Sequence, residues 1–318
     1  MDTGSIPLVD LAAGDVDKRA AALGASLREH GFAIVSGHEI DDDLIARGWS
    51  LAERFFAQAE AEKRVYHDRA LAGARGYTPF GTEIAKDAKL HDLKEFWHVG
   101  RELAEADLAR LGLPANRWPE KPEGFRETFT ALFDAFDRAG ARILSLIARD
   151  LGLDAAWFDS VVGEGNSILR LLHYPPIREA NPGALRAAPH EDINLITLLL
   201  GAQEAGLELL ARDGTWLAVD PPPGALVVNI GDMMQRLTNH VLPSTTHRVT
   251  NPEEARAGQS RYSMPFFLHP RSDFLIETLP CCLPEGVADR YPRPITAGAY
   301  LEERLVEIGL AGQRDSPG

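Results

Sequence analysis

The chain has 318 residues, 45% apolar and 25% charged, an ordinary globular composition with enough hydrocarbon for a sizeable core. Against 33 basic residues stand 47 acidic ones, a net charge of −14 with His neutral, which argues against nucleic acid or an anionic membrane surface as partner, since both would be repelled. The opening MDTGSIPLVDLAAGD lacks a basic segment and a long apolar run, and no later run approaches the roughly 20 residues of a spanning helix, so the expected location is the cytoplasm.

In chain order, Ile6 to Leu11 reads as a short edge strand, where Pro7 is tolerated. Asp15 is suited to N-cap a helix through Leu23 and Leu27 that stops at Gly31. Phe32 to Val35 follows as an apolar strand. A second helix, capped in the Asp41 to Asp43 run, carries Leu44, Ile45, Trp49, Leu51, Phe55 and Phe56. From Leu71 to Pro122, glycines and prolines break the pattern into short elements, as in loops that lie over a site. Within this stretch Tyr77, Phe96 and Trp97 are candidates for a substrate-facing wall, set against a satellite cluster under long loops.

Phe125 through Leu151 is the clearest helix, with apolar residues recurring three and four apart, long enough to buttress one face of a sheet. After Gly165 the character turns to β. Strands are expected at Ser167 to Tyr174, His190 to Leu200, Leu207 to Leu210, Trp216 to Val219, Ala225 to Ile230, Ser244 to Val249 and Arg261 to Leu268, separated by turn signals such as Arg212-Asp213-Gly214. Many short strands at this spacing indicate a sandwich or barrel of the jelly-roll kind. The expected fold is therefore α+β with a mainly β core. The whole chain, 1–318, is read as one domain: a helix-rich part over 1–165, a jelly-roll core carrying the site over 166–270, and a C-terminal extension over 271–318. Residues Gln313 to Gly318 read as a frayed tail. The only two cysteines, Cys281 and Cys282, are adjacent between Pro280 and Pro284, cannot staple distant parts of the fold, and suggest a surface turn.

Chemistry concentrates in Ala187 to Leu200, AAPHEDINLITLLL. If this stretch is extended, His190 and Asp192 project from one face and Glu191 from the other. His247, in a second strand-like stretch, can supply a third ligand. Two His and one carboxylate without Cys form the facial triad of non-haem Fe(II) oxygenases, which leaves three coordination positions open for a bidentate co-substrate and O2. The same set can hold catalytic zinc in a hydrolase, or be incidental in a non-catalytic β-sandwich binding module.

Several stretches in one order resemble a known family: IPLVDL near the start, GFAIVSGH from Gly31, LLHYPP from Leu171, HEDINLITLL from His190, VVNIGDMMQRLTNH from Val227, STTHRV from Ser244 and RYSMPFF from Arg261. Together, over about residues 5–270, they resemble the isopenicillin-N-synthase-like family of 2-oxoglutarate and Fe(II)-dependent oxygenases. The resemblance implies a double-stranded β-helix in which His190, Asp192 and His247 hold Fe(II). It further implies that Arg261 and Ser263 grip the distal carboxylate of 2-oxoglutarate, with Tyr174 as a carboxylate-binding tyrosine. A guanidinium fork with a nearby hydroxyl suits that anion. Arg170, on the same strand face as Tyr174, and Asn229 become candidates for the co-substrate or substrate pocket. The sequence has Leu-His-Tyr-Pro where the family more commonly has Asn-Tyr-Tyr-Pro.

The activity implied is oxidation, above all hydroxylation, of a small molecule with O2 and release of succinate and CO2. Some members of that family do not use 2-oxoglutarate, which leaves such an oxidase as the alternative within it. A second arginine beside the site hints at an anionic substrate.

Overall fold

In the computed structural model, residues 6–71, 73–82, 91–176, 185–200, 206–252 and 258–307 are described. The expected C-terminal tail at Gln313 to Gly318 lies outside them, as does part of the loop-rich stretch, residues 83–90.

Two helices form where the capping chemistry places them. Helix α1 (Val16–His30) begins at Asp15, whose carboxylate accepts from the backbone N–H of Asp17 and Lys18, and ends at Gly31 with φ 67°, a left-handed position that costs a Cβ-bearing residue strain. Helix α2 (Asp42–Phe56) is capped by Asp41, which accepts from Leu44 N–H. Short helices α3 (Glu60–Arg64) and α4 (Glu105–Leu111) precede the long α5 (Phe125–Asp150), and α6 (Asp159–Val162) follows it.

The β-strands form two facing sheets and a small ribbon. The major sheet runs in the order β1 (Leu8–Asp10), β2 (Phe32–Ser36), β10 (Leu226–Ile230), β7 (Ile196–Leu200), β12 (Arg261–Leu268), β5 (Ile168–Tyr174), β4 (Glu95–Gly100), β3 (Gly76–Thr78). The minor sheet runs β6 (Ala187–His190), β11 (His247–Val249), β8 (Leu207–Leu210), β9 (Trp216–Ala218). All pairings are antiparallel except β1 with β2. A ribbon of β13 (Leu275–Ile276) and β14 (Ile295–Thr296) leads into α8 (Ala297–Glu307), while α7 (Asp232–Leu237) follows β10 directly. This is the jelly-roll core with flanking helices that the strand spacing led us to expect.

Alternation along the strands divides the molecule into an outer core and an inner cleft. Met264, Phe266 and Leu268 of β12 point outward to α5, where Phe136 stacks on Phe266 with ring centroids 5.5 Å apart. Phe32 and Val227 of the major sheet point inward and pack on Leu207, Leu209 and Val249 of the minor one. The helix therefore buttresses the sheet from behind and leaves its other face for chemistry.

The loop-rich stretch is a correction. It contributes two completely buried strands, β3 and β4, to the major sheet. The glycine and proline punctuation marks the turns around them and conceals the six-residue run EFWHVG between. The cysteine pair lies in a 3-10 turn, unbonded, with sulfurs 3.9 Å apart.

On the outer side of β4, Glu95 sits in a buried network. Lys63 Nζ reaches its two oxygens at 2.8 and 2.7 Å, His173 Nδ1 lies 2.7 Å from Oε1, and the Tyr77 hydroxyl donates to Oε2. Burial pushes this carboxyl upward, but hydrogen bonds from His173, Lys63 and Tyr77 outweigh it and hold Glu95 below its ordinary value of 4.5. A depressed carboxylate stabilises the fold above the unfolded-state value, and that contribution is lost as pH falls through the folded-state value. Glu95→Gln is therefore expected to remove the part of the acid transition that begins below about pH 4.5. At neutral pH it should cost about 3–5 kcal/mol, because Lys63 is left buried without its partner. Urea unfolding of both proteins across pH 3 to 8, taken as roughly the range that spans carboxylate titration, checks both; parallel pH profiles would contradict the assignment.

Candidate functional site

His190 closes β6, and His247 opens β11 directly opposite it in register. Their side chains and that of Asp192 each offer a ligand atom, all within 4.8 Å of one another. His190 Nε2 lies 4.0 Å and His247 Nε2 3.9 Å from Asp192 Oδ1. The expectation that His190 and Asp192 alternate along one strand is corrected. β6 ends at His190, residues 191–195 turn, and β7 begins only at Ile196 in the other sheet. The carboxylate reaches the histidines because the chain crosses between sheets there. Glu191 does point elsewhere, accepting from the hydroxyl of Thr246, the residue before His247.

Each ligand is oriented from behind. His190 Nδ1 lies 2.7 Å from the Ala188 carbonyl and His247 Nδ1 3.1 Å from that of Thr245. A carbonyl only accepts, so each Nδ1 carries the proton and each Nε2 presents its lone pair to the common centre. The T-shaped contact of Phe32 with His247, at 5.5 Å between centroids, fixes that ring further. Asp192 Oδ2 accepts from Thr197 Oγ1 at 2.5 Å and from Asn229 Nδ2 at 2.8 Å, leaving Oδ1 to face the histidines. Thr197 Oγ1 in turn accepts from Asn194 Nδ2 at 3.0 Å.

Burial, joined by the neighbouring His247, pushes His190 down to about 4. Burial pushes Asp192 the other way, but His247, His190 and the hydrogen bonds from Asn229 and Thr197 bring it below the ordinary carboxylate range. A neutral imidazole beside an ionised carboxylate is the protonation state a divalent cation requires. Two nitrogens and one carboxylate oxygen at this spacing, each with its second atom already engaged, fit an open-sided Fe(II) site.

Arg261 and Ser263 share the inner face of β12, and Arg261 pairs in register with Tyr174 of β5. All three are buried, and the Arg261 guanidinium carbon lies 5.2 Å from the Tyr174 ring centroid. Arg186, just before β6 and 1% exposed, approaches the same ring at 5.9 Å and donates to the Gln259 carbonyl at 3.2 Å. Phe96 packs with Leu172 and Tyr174 on this inner face.

Two of the aromatic candidates are corrected. Tyr77 and Trp97 lie on the outer face of the sheet, against Phe55, where Tyr77 binds Glu95 and Trp97 is fully buried. Phe96 and Trp97 are adjacent in a strand and cannot both face the cleft. Asn229 does face inward, but its amide holds Asp192. Asp232 starts α7, and its N–H donates to the Asp192 carbonyl at 2.7 Å.

Sequence reasoning missed Thr197, whose signal was a single hydroxyl in the apolar run ITLLL. Thr197→Val keeps the shape and deletes the hydrogen bond, so Fe(II) affinity is expected to fall about 10–100-fold. A metal titration monitored by calorimetry checks it; an unchanged affinity would remove Thr197 from the site.

Comparison with known proteins agrees with this geometry. Residues 165–270 match the family model of the 2OG-Fe(II) oxygenase superfamily, and residues 6–121 match that of the non-haem dioxygenase in morphine synthesis N-terminal region. A 2-oxoglutarate-Fe(II) type oxidoreductase of Emericella nidulans is 34% identical over 293 residues, covering 87% of this chain and 82% of that one. A protein of Caulobacter crescentus described as of the 2OG-Fe(II) oxygenase family superposes with a TM-score of 0.89 at 48% identity, covering 96% of this chain and 100% of that one. A full-length Neurospora crassa protein, solved in complex with alpha-KG and thymine, superposes with a TM-score of 0.83 at 30% identity, covering 96% of this chain and 98% of that one.

Proposed function

The chain belongs to the 2OG-Fe(II) oxygenase superfamily, and from that premise we propose that His190, Asp192 and His247 are its iron ligands and that it hydroxylates a small organic molecule. It is an Fe(II)- and 2-oxoglutarate-dependent dioxygenase. When bound, Fe(II) and 2-oxoglutarate supply O2 activation coupled to oxidative decarboxylation, with release of succinate and CO2. The single observation that carries the residue assignment is the convergence of three ligand atoms within 4.8 Å.

The protein's own residues supply ligation, orientation and exclusion of water. Asp192 Oδ1 and the two Nε2 atoms occupy one side of the centre. Thr197 and Asn229 keep Asp192 ionised and prevent its rotation. Arg261 and Ser263 would hold the distal carboxylate of 2-oxoglutarate, a guanidinium and a hydroxyl both being donors suited to that anion, with Tyr174 at the same end. Arg186 adds a second buried cation there. Phe32, Val227 and Leu199 line the inner layer apolarly and keep solvent out.

The substrate is read as a small molecule, of the kind that thymine is for the Neurospora crassa protein solved with it. No helix among the described residues is long and apolar enough to cross a membrane, which is in keeping with a cytoplasmic enzyme, and the net charge of −14 disfavours nucleic acid as substrate. The test is a screen of small-molecule pools for stimulated conversion of 2-oxoglutarate to succinate by the Fe(II)-loaded protein. Succinate that appears without Fe(II), or iron-dependent turnover undiminished in variants of all three ligands, would contradict the assignment.

A further inference from the structure

Resting on the reading above, we propose that Arg304 and Asp232 are positioning residues for the metal centre: their ion pair ties helix α8 to the first turn of α7, and that first turn holds the loop that presents Asp192. Both act through the backbone that carries Asp192 and not by ligation.

Residues 191–195 lie outside any strand, so the ladder that sets His190 opposite His247 does not fix the third ligand. The start of α7 does so instead. Gly231 N–H donates to the Leu195 carbonyl at 3.0 Å, Asp232 N–H to that of Asp192 at 2.7 Å, and Met233 N–H is shared between those of Ile193 and Asn194 at 3.2 Å each. Four successive carbonyls of the loop thus accept from three successive N–H groups, donors that a helix leaves without partners inside itself. The fit is close, since a Cβ at Gly231 would come within 2.2 Å of the Asn194 carbonyl oxygen. A shift of α7 therefore moves the loop, and with it the Asp192 carboxylate, relative to the two imidazoles.

Helix α7 has six residues, too few to stay in place by its own hydrogen bonds, and later parts of the chain hold it. Leu279 N–H donates to the Leu237 carbonyl at 2.9 Å, and Arg236 donates to the Arg293 carbonyl at 2.7 Å with its guanidinium carbon 4.5 Å from the Tyr291 ring centroid. These contacts secure the end of the helix that points away from Asp192. At the end that meets Asp192 the tie is Arg304 of α8, whose Nη2 lies 3.2 Å from Asp232 Oδ2. The same helix borders the approach to a second ligand, because Gln235 Oε1 accepts from the N–H of Ser244 at 2.9 Å, three residues before His247.

Charge makes this tie consequential. Asp232 is 7% exposed, and its carboxylate feels the like charges of Glu191 and Asp192. With Arg304 opposite, the buried carboxylate is compensated. Without it, repulsion from the ligand itself pushes the first turn of α7 away from the loop. Arg304 is steadied from its own helix, donating through Nη1 to Glu307 Oε2 at 2.7 Å.

Calorimetric titration of Mn(II) into the metal-free protein, with thermal unfolding of the same preparations, tests this. Arg304→Gln is expected to lower Mn(II) affinity about 10–100-fold, as loss of an outer partner of a metal ligand does, and Arg304→Lys to restore most of it. Asp232→Asn should lower the affinity in the same direction; it keeps the size of the side chain and removes the charge that needs Arg304, so it keeps the test open if Arg304→Gln does not fold. Because the two residues act as one unit, the double variant is expected to bind no more weakly than Arg304→Gln alone. Arg101→Gln is the control: it breaks a pair with Asp137 of α5 at 2.8 Å and should lower the unfolding temperature without changing metal affinity. Unchanged Mn(II) affinity in either folded single variant, an equal loss in Arg101→Gln, or losses that add in the double variant would overturn the proposal. A native protein that binds no Mn(II) would instead overturn the reading of the triad, and this inference with it.

Discussion

Asp192→Ala is expected to abolish iron-dependent succinate formation, a loss of about a thousandfold or more, since the bound metal contributes several kcal/mol of transition-state stabilisation. The carboxylate is the only anionic member of the ligand set and the one to which Thr197 and Asn229 are bonded. Removing it takes away both a ligand and the reason for those two polar groups to point at the centre. Folding should suffer much less. Asp192 lies in the turn between β6 and β7 rather than in the outer core, and its removal also relieves the cost of burying a charge. Succinate assays and thermal unfolding on the same preparation separate the two effects; full turnover in a folded variant would show that the metal, if it is needed, sits elsewhere.

Arg261→Lys is expected to raise the 2-oxoglutarate KM about 10–100-fold with kcat at saturation changed far less. Lys preserves the charge but replaces a rigid fork by one rotatable ammonium, forfeiting a charge-assisted hydrogen bond of about 1.5–3 kcal/mol. The position is 3% exposed and paired in register with Tyr174, so water cannot readily make up the missing contact. Calorimetric titration of 2-oxoglutarate into the iron-loaded variant gives the same answer without turnover. An unchanged KM would move the co-substrate carboxylate to another cation, with Arg186 the next to examine because it flanks the same ring.

Local rules made much of this molecule readable in advance. Asp15, Asp41 and Gly31 carry their structural roles in their own side chains or lack of one, and each sits at the helix end where it was expected. The period of α5 and the spacing of the later strands led to a buttressed jelly roll because each signal is repeated over many residues. The positions of His190, Asp192 and His247 were legible as a ligand pattern, but the geometry joining them was not. Alternation placed His190 and Asp192 on one strand, whereas the chain turns between sheets there, a long-range event that no local pattern records.

Other residues were misplaced or overlooked for equally physical reasons. Tyr77 and Trp97 were grouped with Phe96 by composition, but strand alternation sends them to the opposite face, where α2 and α5 cover them. Thr197 and Arg186 look like an ordinary strand threonine and a surface cation in sequence. Their roles arise only when β7 and β10 bring Asn229 beside Thr197, and when β5 brings Tyr174 against Arg186.

Anomalous diffraction from a crystal loaded with Mn(II) in place of iron tests the central claim most directly. The account predicts one peak per chain within bonding distance of His190 Nε2, Asp192 Oδ1 and His247 Nε2 together, at roughly 2.0–2.2 Å. A peak bound to other side chains, or none at those three, would contradict it.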